Sequence, residues 1–181
     1  MWKKRRRIVF HPIGVVHSPH TDPSRTPIQP VFARGVRGTV EVDSRFAEGL
    51  ADLEGFSHVY LFYPFHRTRE TRLRVRPFLE DALRGVFATR APSRPNKLGF
   101  SLVRLLSVEG RVLHVEDLDI LDGTPLIDIK PYIGRFDTRE DARSGWQEAI
   151  DDGAAARRGA RGFAADGDPS SATPGSGQND G

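Results

Sequence analysis

Thirteen prolines and eighteen glycines divide the 181-residue chain into short apolar runs, so long regular elements are not expected. The most apolar run, residues 58–65 (His-Val-Tyr-Leu-Phe-Tyr-Pro-Phe), is rich in residues that favour strands. It does not read as an amphipathic helix and is too short to cross a bilayer. It is therefore expected to form a central strand that ends near Pro64.

The rest of the chain shows the same pattern of short, strand-like runs. Further strands are predicted at residues 8–10, 13–16, 38–42, 73–76, 86–89, 100–108 and 111–115, and another short structured segment at 126–132. Helical spacing of Phe46, Leu50 and Leu53 predicts one short helix. These patterns favour a mostly β fold, a small single-domain barrel or sandwich with one or two short helices.

The composition suggests three segments. Residues 1–7 form a basic leader, residues 8–150 a β domain, and residues 151–181 a tail. From residue 153 onward, Gly, Ala, Ser, Asp and Pro dominate and Phe163 is the single aromatic residue. Such a segment buries too little apolar surface to offset chain entropy, so the tail is expected to be disordered.

Several classes of site are absent from the sequence. There is no cysteine, no glycine-rich dinucleotide fingerprint, no phosphate-binding loop and no Gly-x-Ser-x-Gly elbow. The histidines at 11, 17 and 20 lack a recognised metal spacing, so no metal site is expected. With neither a signal peptide nor a membrane segment recognisable, the sequence is expected to be that of a cytoplasmic protein.

Positive charge is concentrated in one segment. Residues 66–104 contain ten Lys and Arg but only three acidic residues. Such a segment suits a partner that carries phosphate, although a solvated charged face would have the same composition. His66, next to Arg67 where the predicted strand ends, is the histidine best placed to contact a ligand.

Two loops are candidates for a site. Residues 85–101 place Arg90, Arg94 and Lys97 among prolines that keep the loop extended, which suits either a binding loop or a rigid surface connection. Residues 122–125 (Asp-Gly-Thr-Pro) suit either an ordinary turn or a pocket that a ligand approaches closely.

Four motifs, taken together in this order, resemble the TsaA/TrmO family across residues 8–137. They are residues 13–19 (Ile-Gly-Val-Val-His-Ser-Pro), 55–58 (Gly-Phe-Ser-His), 85–96 (Gly-Val-Phe-Ala-Thr-Arg-Ala-Pro-Ser-Arg-Pro-Asn) and 122–132 (Asp-Gly-Thr-Pro-Leu-Ile-Asp-Ile-Lys-Pro-Tyr). The resemblance implies a small β-barrel and not a Rossmann sheet. It also implies an S-adenosylmethionine-dependent methyltransferase that acts on N6 of threonylcarbamoyladenosine at position 37 of tRNA, in the anticodon loop. It further implies a homodimer with the cofactor near the subunit interface.

The resemblance also implies which residues form the site. The expected cofactor contacts are Pro27, Gln29, Pro30, His66, Arg67, Arg90, Asp122, Gly123, Thr124 and Pro125. Arg94, Asn96 and Lys97 are expected to contact the substrate. No catalytic base is assigned.

Two features depart from the family pattern. Family members often have Pro-Ile where this chain has Lys97-Leu98, and residues 151–181 do not resemble the C-terminal tRNA-binding domain of longer members. Two alternatives therefore stay open. One is a methyltransferase that uses the same cofactor on another RNA base or a small molecule, and the other is a non-enzymatic RNA-binding barrel.

Overall fold

The computed structural model of the protein describes residues 8–162. Its strands are β1 Gly14–His17, β2 Arg37–Val42, β3 His58–Pro64, β4 Arg74–Val75, β5 Arg84–Gly85, β6 Leu98–Glu109, β7 Val112–Glu116, β8 Thr124–Leu126 and β9 Asp128–Pro131. Its α-helices are α1 Gly134–Asp137 and α2 Asp152–Ala160, and its 3₁₀ helices are Pro30–Phe32, Ser44–Leu50, Leu53–Gly55, Val86–Ala88 and Gly145–Ala149.

Seven of the strands form one antiparallel sheet in the order β8-β1-β2-β7-β6-β3-β9, while β4 and β5 form a separate ribbon. The two outer strands of the large sheet, β8 and β9, are separated in sequence by Ile127 alone. β8 pairs with β1 and β9 pairs with β3, and the Ile127 N–H donates to the Phe62 carbonyl at 2.8 Å. The sheet therefore curls until its edges meet, which makes it a nearly closed barrel.

Alternation along the strands fills the barrel. In β3 the inward residues are Val59, Leu61 and Tyr63, which are buried, while the residues between them lie on the outer face. Strands β2, β6 and β7 contribute further buried valines and leucines to the same core. Because strand side chains alternate between faces, the residues between the buried ones form a separate outer face on β3 and β6.

A glycine makes room for the tyrosine inside the barrel. Gly99 of β6 lies opposite Tyr63 of β3. A Cβ on Gly99 would come within 2.6 Å of the Tyr63 ring and 2.9 Å of the Phe65 ring. The missing side chain thus lets the Tyr63 ring lie across the β6 backbone, with its hydroxyl inside the barrel.

The loops that matter most for function leave one end of the barrel. Strands β1, β3 and β7 end there, and β2, β6 and β8 begin there, as their pairing shows. The segments 18–36, 65–97 and 117–123, which connect these strands, therefore surround the same opening. They carry most of the residues that the sequence singles out.

The prediction of a mostly β barrel is confirmed, and so are the strands expected at 38–42, 58–65, 100–108 and 111–115. A hairpin joins β6 to β7, with Gly110 at φ +61 as the first residue of its two-residue loop. The helix expected near residues 45–53 is instead the 3₁₀ helix Ser44–Leu50, followed by another at Leu53–Gly55. The strand expected at 73–76 is limited to the two residues of β4.

Two strand predictions are wrong. At residues 8–10, Ile8 is 78% exposed and the segment pairs with no strand of the described chain. At residues 86–89, the Val86–Ala88 turn is a 3₁₀ helix that buries Val86 and leaves Phe87 76% exposed. A run of apolar residues cannot tell a short strand from a single helical turn when only one of its side chains is buried.

The boundary of the predicted disordered tail is also wrong. Residues 152–160 form α2, which begins where the Asp151 carboxylate accepts a hydrogen bond from the Ala154 N–H at 2.8 Å. The basic leader, residues 1–7, and residues 163–181 lie outside the described residues.

Candidate active site

A cleft of about 1460 Å³ occupies the open end of the barrel and continues onto the outer face of β3 and β6. It is lined by nine of the residues expected to bind the cofactor or substrate: Pro27, Gln29, Pro30, His66, Arg67, Arg90, Arg94, Asn96 and Thr124. The structure therefore brings together residues from four separate parts of the sequence. Asp122, Gly123, Pro125 and Lys97 are not among the residues that line the cleft.

Arg90 lies at the centre of the polar contacts in this cleft. Its guanidinium donates a hydrogen bond to the Gln29 side-chain carbonyl, 61 positions away in sequence. Its Cζ lies 4.8 Å from the centre of the Phe100 ring, within the range of a cation–π contact. Held by an amide on one side and an aromatic ring on the other, the guanidinium keeps further donors for an anionic or carbonyl group of a ligand.

A buried polar chain lies beneath these groups. The Ser101 hydroxyl donates to Asp119 Oδ1 at 2.6 Å, and the Tyr63 hydroxyl lies 2.9 Å from Ser101 Oγ. Because a serine hydroxyl has a single proton, Tyr63 donates to Ser101 whenever Ser101 donates to Asp119. Asp119 and Tyr63 both line the cleft, so the chain runs from the barrel interior to the ligand space.

The Asp119 carboxyl is unusual because it is only 7% exposed and has no ion-pair partner in the described part of the chain. Burial raises the pKa of Asp119 to about 7, although the Ser101 hydrogen bond and the charge of Arg90 oppose that rise. Burial also raises the pKa of the Tyr63 phenol. A carboxyl that ionises near neutral pH inside a cleft is typical of a functional site.

The end of β3 and the start of β8 meet at the cleft. His66 Nδ1 lies 3.4 Å from the Thr124 hydroxyl, and that hydroxyl donates to the Leu121 carbonyl at 2.6 Å. Burial, together with the adjacent Arg67 charge, lowers the pKa of His66, which favours a neutral imidazole.

The Asp122 carboxylate contacts the end of β1 and does not enter the cleft. Its Oδ1 accepts from the Ser18 N–H at 3.1 Å and lies 3.8 Å from His17 Nδ1. Gly123 has φ +70, a conformation that favours glycine, and its N–H donates to the Val16 carbonyl at 2.9 Å. These contacts fix the turn that carries Leu121 and Thr124 into the cleft.

The loop before β6 is held by its own side chains. Arg94 Nη1 donates to the Thr89 carbonyl at 3.1 Å, while Lys97 Nζ donates to the Arg69 carbonyl at 2.9 Å. Lys97 has φ +49 and its N–H donates to the Arg94 carbonyl at 3.2 Å. The Lys97 ammonium is thus occupied outside the cleft, whereas Arg94 and Asn96 line it.

Comparison with known proteins decides the family. Residues 15–138 match the N-terminal domain of tRNA-methyltransferase O. The chain belongs to the tRNA-methyltransferase O family. This confirms the resemblance drawn from the four sequence motifs.

Relatives from all three domains of life share this domain. The chain is 52% identical over 141 residues to a probable S-adenosyl-L-methionine-binding protein of Pyrococcus abyssi, covering 78% of this chain and 77% of that protein. It is 36% identical to the tRNA (adenine(37)-N6)-methyltransferase of Escherichia coli, covering 77% and 64%. The human protein of the same name is 34% identical, with 72% of this chain matching 31% of it.

A solved structure has the same fold. The crystal structure of TrmO from Pseudomonas aeruginosa superimposes with a TM-score of 0.66 at 39% identity, covering 78% of this chain and 63% of that one. The chain thus spans less than two thirds of several tRNA-methyltransferase O proteins to which it is similar.

Lys97 stands where the family resemblance more often leads us to expect a proline. Proline cannot adopt a φ of +49 and lacks the N–H that Lys97 gives to Arg94. The backbone at this position must therefore differ in family members that have proline there. Lys97 lies in the short connection between Arg94 and β6.

Sequence reasoning missed several residues that line the cleft, among them Tyr63, Phe100, Asp119, Trp146 and Arg161. A signal for Asp119 existed, since it is the only charged residue in the apolar run 118–121 (Leu-Asp-Ile-Leu). No comparable signal marked Trp146 or Arg161, because they lie beyond the family motifs.

Within residues 8–162, no helix is long and apolar enough to cross a membrane. Across the same residues, no three His, Cys, Asp or Glu side chains come together as a metal-binding group would.

We predict that Asp119→Asn stabilises the protein at high pH but not at low pH. The folded-state pKa of about 7 lies above the usual value of about 3.9, so the wild-type protein loses stability as pH rises between these values. The full loss is on the order of 4 kcal/mol. The melting temperature of Asp119→Asn relative to wild type should rise by several degrees from pH 5 to pH 8. A difference that does not change with pH would contradict the buried, uncompensated carboxyl.

Proposed function

We propose that the protein transfers a methyl group from S-adenosylmethionine to N6 of adenosine 37 of tRNA, with threonylcarbamoyladenosine as the preferred acceptor. Membership of the tRNA-methyltransferase O family supports the reaction class, and the names of the Escherichia coli and human relatives support the position on tRNA. The observation that carries the proposal is the convergence of Gln29, Arg90 and Thr124 on a single cleft. A tRNA substrate also suits a cytoplasmic protein.

The cleft fits the charges of the proposed cofactor. S-adenosylmethionine has a carboxylate, an ammonium and a sulfonium, and it supplies an electrophilic methyl group. Arg90 offers guanidinium donors for the carboxylate. The other proposed contacts are Pro27, Gln29, Pro30, His66, Arg67 and Thr124.

The Asp122–Pro125 turn has a different proposed role from Arg90. Asp122 and Gly123 are committed to Ser18 and Val16, as described above. We therefore assign Asp122, Gly123 and Pro125 the role of holding the turn, so that Leu121 and Thr124 form the cofactor wall.

The main contribution of the protein to the reaction is to position the two reactants; it forms no covalent bond to them. The exocyclic amine of adenine is a weak nucleophile, because its lone pair is delocalised into the ring. Holding that amine in line with the methyl group, in a cleft from which water is excluded, lowers the barrier through proximity and desolvation.

The amine must lose a proton when it is methylated. Asp119 is the group in the cleft best suited to accept it, because its pKa of about 7 is matched to neutral pH. The hydrogen bond from Ser101 stabilises the ionised carboxylate, and Tyr63 in turn donates to Ser101. We propose Asp119 as the proton acceptor of the reaction.

Arginines on the rim favour an RNA partner. Arg34, Arg76 and Arg94 line the cleft, in addition to the proposed cofactor contacts Arg67 and Arg90. Asn96 is placed among them, and Lys97 lies just outside. We propose that these residues contact the phosphates and bases of the anticodon loop, which would make tRNA affinity fall with salt.

The test is a methyl-transfer assay with labelled S-adenosylmethionine and tRNA that either has or lacks the threonylcarbamoyl group. We expect label in adenosine 37, and more of it in the modified tRNA. Arg90→Ala should weaken cofactor binding at least tenfold, about 1.4 kcal/mol, because the guanidinium is lost from the cleft. Arg104→Ala is the matched control, since Arg104 is an exposed arginine on β6 that does not line the cleft.

Each outcome has a separate meaning. Absence of label from both tRNAs, with cofactor still bound, would overturn the tRNA acceptor and favour another acceptor. RNA binding that ignores S-adenosylmethionine, without methyl transfer, would indicate a non-enzymatic RNA-binding barrel. Equal cofactor affinity in Arg90→Ala and Arg104→Ala would remove Arg90 from the site.

We also propose that the protein forms a homodimer through the outer face of β3 and β6, onto which the cleft continues, so that the subunit interface borders the proposed cofactor site. Phe62 stacks on Phe100 there with ring centroids 6.2 Å apart, and Tyr60 adjoins both rings. Phe100 and Leu98 are exposed on this face, and so large an aromatic surface suits a protein partner.

Sedimentation velocity tests the dimer. Wild-type protein should sediment with the mass of two chains, and Phe62→Glu should sediment as one chain because it places a charge in the interface. Phe46→Glu, on an exposed phenylalanine elsewhere, should leave the dimer intact. A single-chain mass for the wild type at micromolar concentration would contradict the dimer.

A further inference from the structure

The chain continues past the family domain and returns to the cleft. The family match ends at residue 138, yet Ser144, Trp146, Gln147 and Arg161 line the cleft. We call residues 144–161 the clasp. It comprises the 3₁₀ helix Gly145–Ala149 and helix α2.

The C-terminal half of the clasp holds the loop that contains Gln29. The Ile28 N–H donates to the Gly159 carbonyl at 3.0 Å, and Arg161 Nη1 donates to the Pro23 carbonyl at 2.8 Å. Gly159 is buried against the ring of Phe32, and a Cβ at Gly159 would overlap that ring. Only glycine permits this approach of α2 to the loop.

The other contacts of the clasp are with residues 81–88, which lie just before Arg90 in the sequence. Trp146 Nε1 donates to the Ala88 carbonyl at 2.8 Å, and the Arg84 guanidinium lies 5.7 Å from the centre of the Trp146 ring. Arg158 Nη1 lies 3.6 Å from Asp81 Oδ1. Ala88 is two residues before Arg90, so the clasp is attached close to both partners of the Gln29–Arg90 hydrogen bond.

Helix α2 depends on these contacts for its order. It has nine residues, two of them glycines, and a helix of that length is marginal by itself in water. Its N-terminus is capped by Asp151, but most of its surface is exposed. Docking against Ile28 and Phe32 therefore orders both the helix and the loop that it touches.

We propose that the clasp is a positioning element for the cofactor, with Gly159 as its positioning residue. The Gly159–Ile28 hydrogen bond fixes the backbone next to Gln29, and Gln29 then holds the Arg90 guanidinium over Phe100. The clasp thus holds the loop that contains Gln29 and the segment before Arg90 at the separation that the Gln29–Arg90 hydrogen bond requires. This inference rests on the proposed function, because it assigns the cleft to S-adenosylmethionine.

Two glycines of the same helix provide a matched test. Gly159→Ala and Gly153→Ala each add one methyl group to α2 and raise its helix propensity alike. At Gly153 the added Cβ meets no ring or backbone atom: it lies 3.3 Å from Oδ1 of the capping Asp151 and 3.4 Å from Arg157 Nη1, contacts that a shift of a few tenths of an ångström relieves. Only Gly159→Ala should force α2 away from Phe32.

We expect Gly159→Ala to raise the Kd for S-adenosylmethionine at least tenfold by calorimetry, and Gly153→Ala to leave it within twofold of wild type. In turnover, the KM for the cofactor should rise in Gly159→Ala while the KM for tRNA stays unchanged. Adding Phe32→Leu to Gly159→Ala should restore part of the affinity, because the smaller side chain makes room for the new methyl group and still packs against α2.

Hydrogen exchange measured without ligand tests whether the clasp orders the loop, independently of the proposed function. Amides of residues 26–33 should exchange at least tenfold faster in Gly159→Ala than in Gly153→Ala. Equal exchange in the two variants would overturn the clasp, whatever the protein binds. Faster exchange with unchanged cofactor affinity would overturn its positioning role. Failure of the wild-type protein to bind S-adenosylmethionine would overturn the proposed function, and the exchange comparison would still decide whether the clasp orders the loop.

Discussion

The segment from β8 to β9 is the constraint on which the rest of the molecule depends. With only Ile127 between them, these strands pair with β1 on one side and β3 on the other, so the sheet has to curl into a barrel. Closure brings the ends of β1, β3 and β7 to the same opening as the starts of β2, β6 and β8. Residues as distant in sequence as Gln29, Arg90 and Thr124 then line a single cleft.

The same closure creates the chemistry of the cleft floor. Tyr63 can lie inside the barrel because Gly99, opposite it, has no side chain, and its hydroxyl reaches Ser101. Ser101 in turn donates to Asp119 just before the β8 turn. Burial of this carboxyl without a paired cation costs stability at neutral pH, and such a cost is retained in proteins mainly where the group serves function. The floor of the cleft therefore combines a shaped apolar space with one group that can exchange a proton.

The sequence predicted the barrel well, because alternation in runs such as 58–65 and 100–108 reports directly which face is buried. It failed where a single buried side chain decides the local structure, as at Val86, and where order depends on distant contacts, as in α2. The nine cleft residues were named through the resemblance to a family, and only His66 was also indicated by its own place at the end of a strand-like run. Spacing alone cannot show that Arg90 meets Gln29, and the Gly159–Phe32 contact has no sequence signal at all.

The central claim is that the cleft at the open end of the barrel is the S-adenosylmethionine site. The most direct test is a crystal structure of the full chain with S-adenosylhomocysteine, the product that the reaction leaves behind. The account predicts that the ligand lies between the Gln29 loop and Thr124, with its carboxylate on Arg90. Ligand bound elsewhere on the barrel, or bound in the cleft without contact to Arg90, would contradict it.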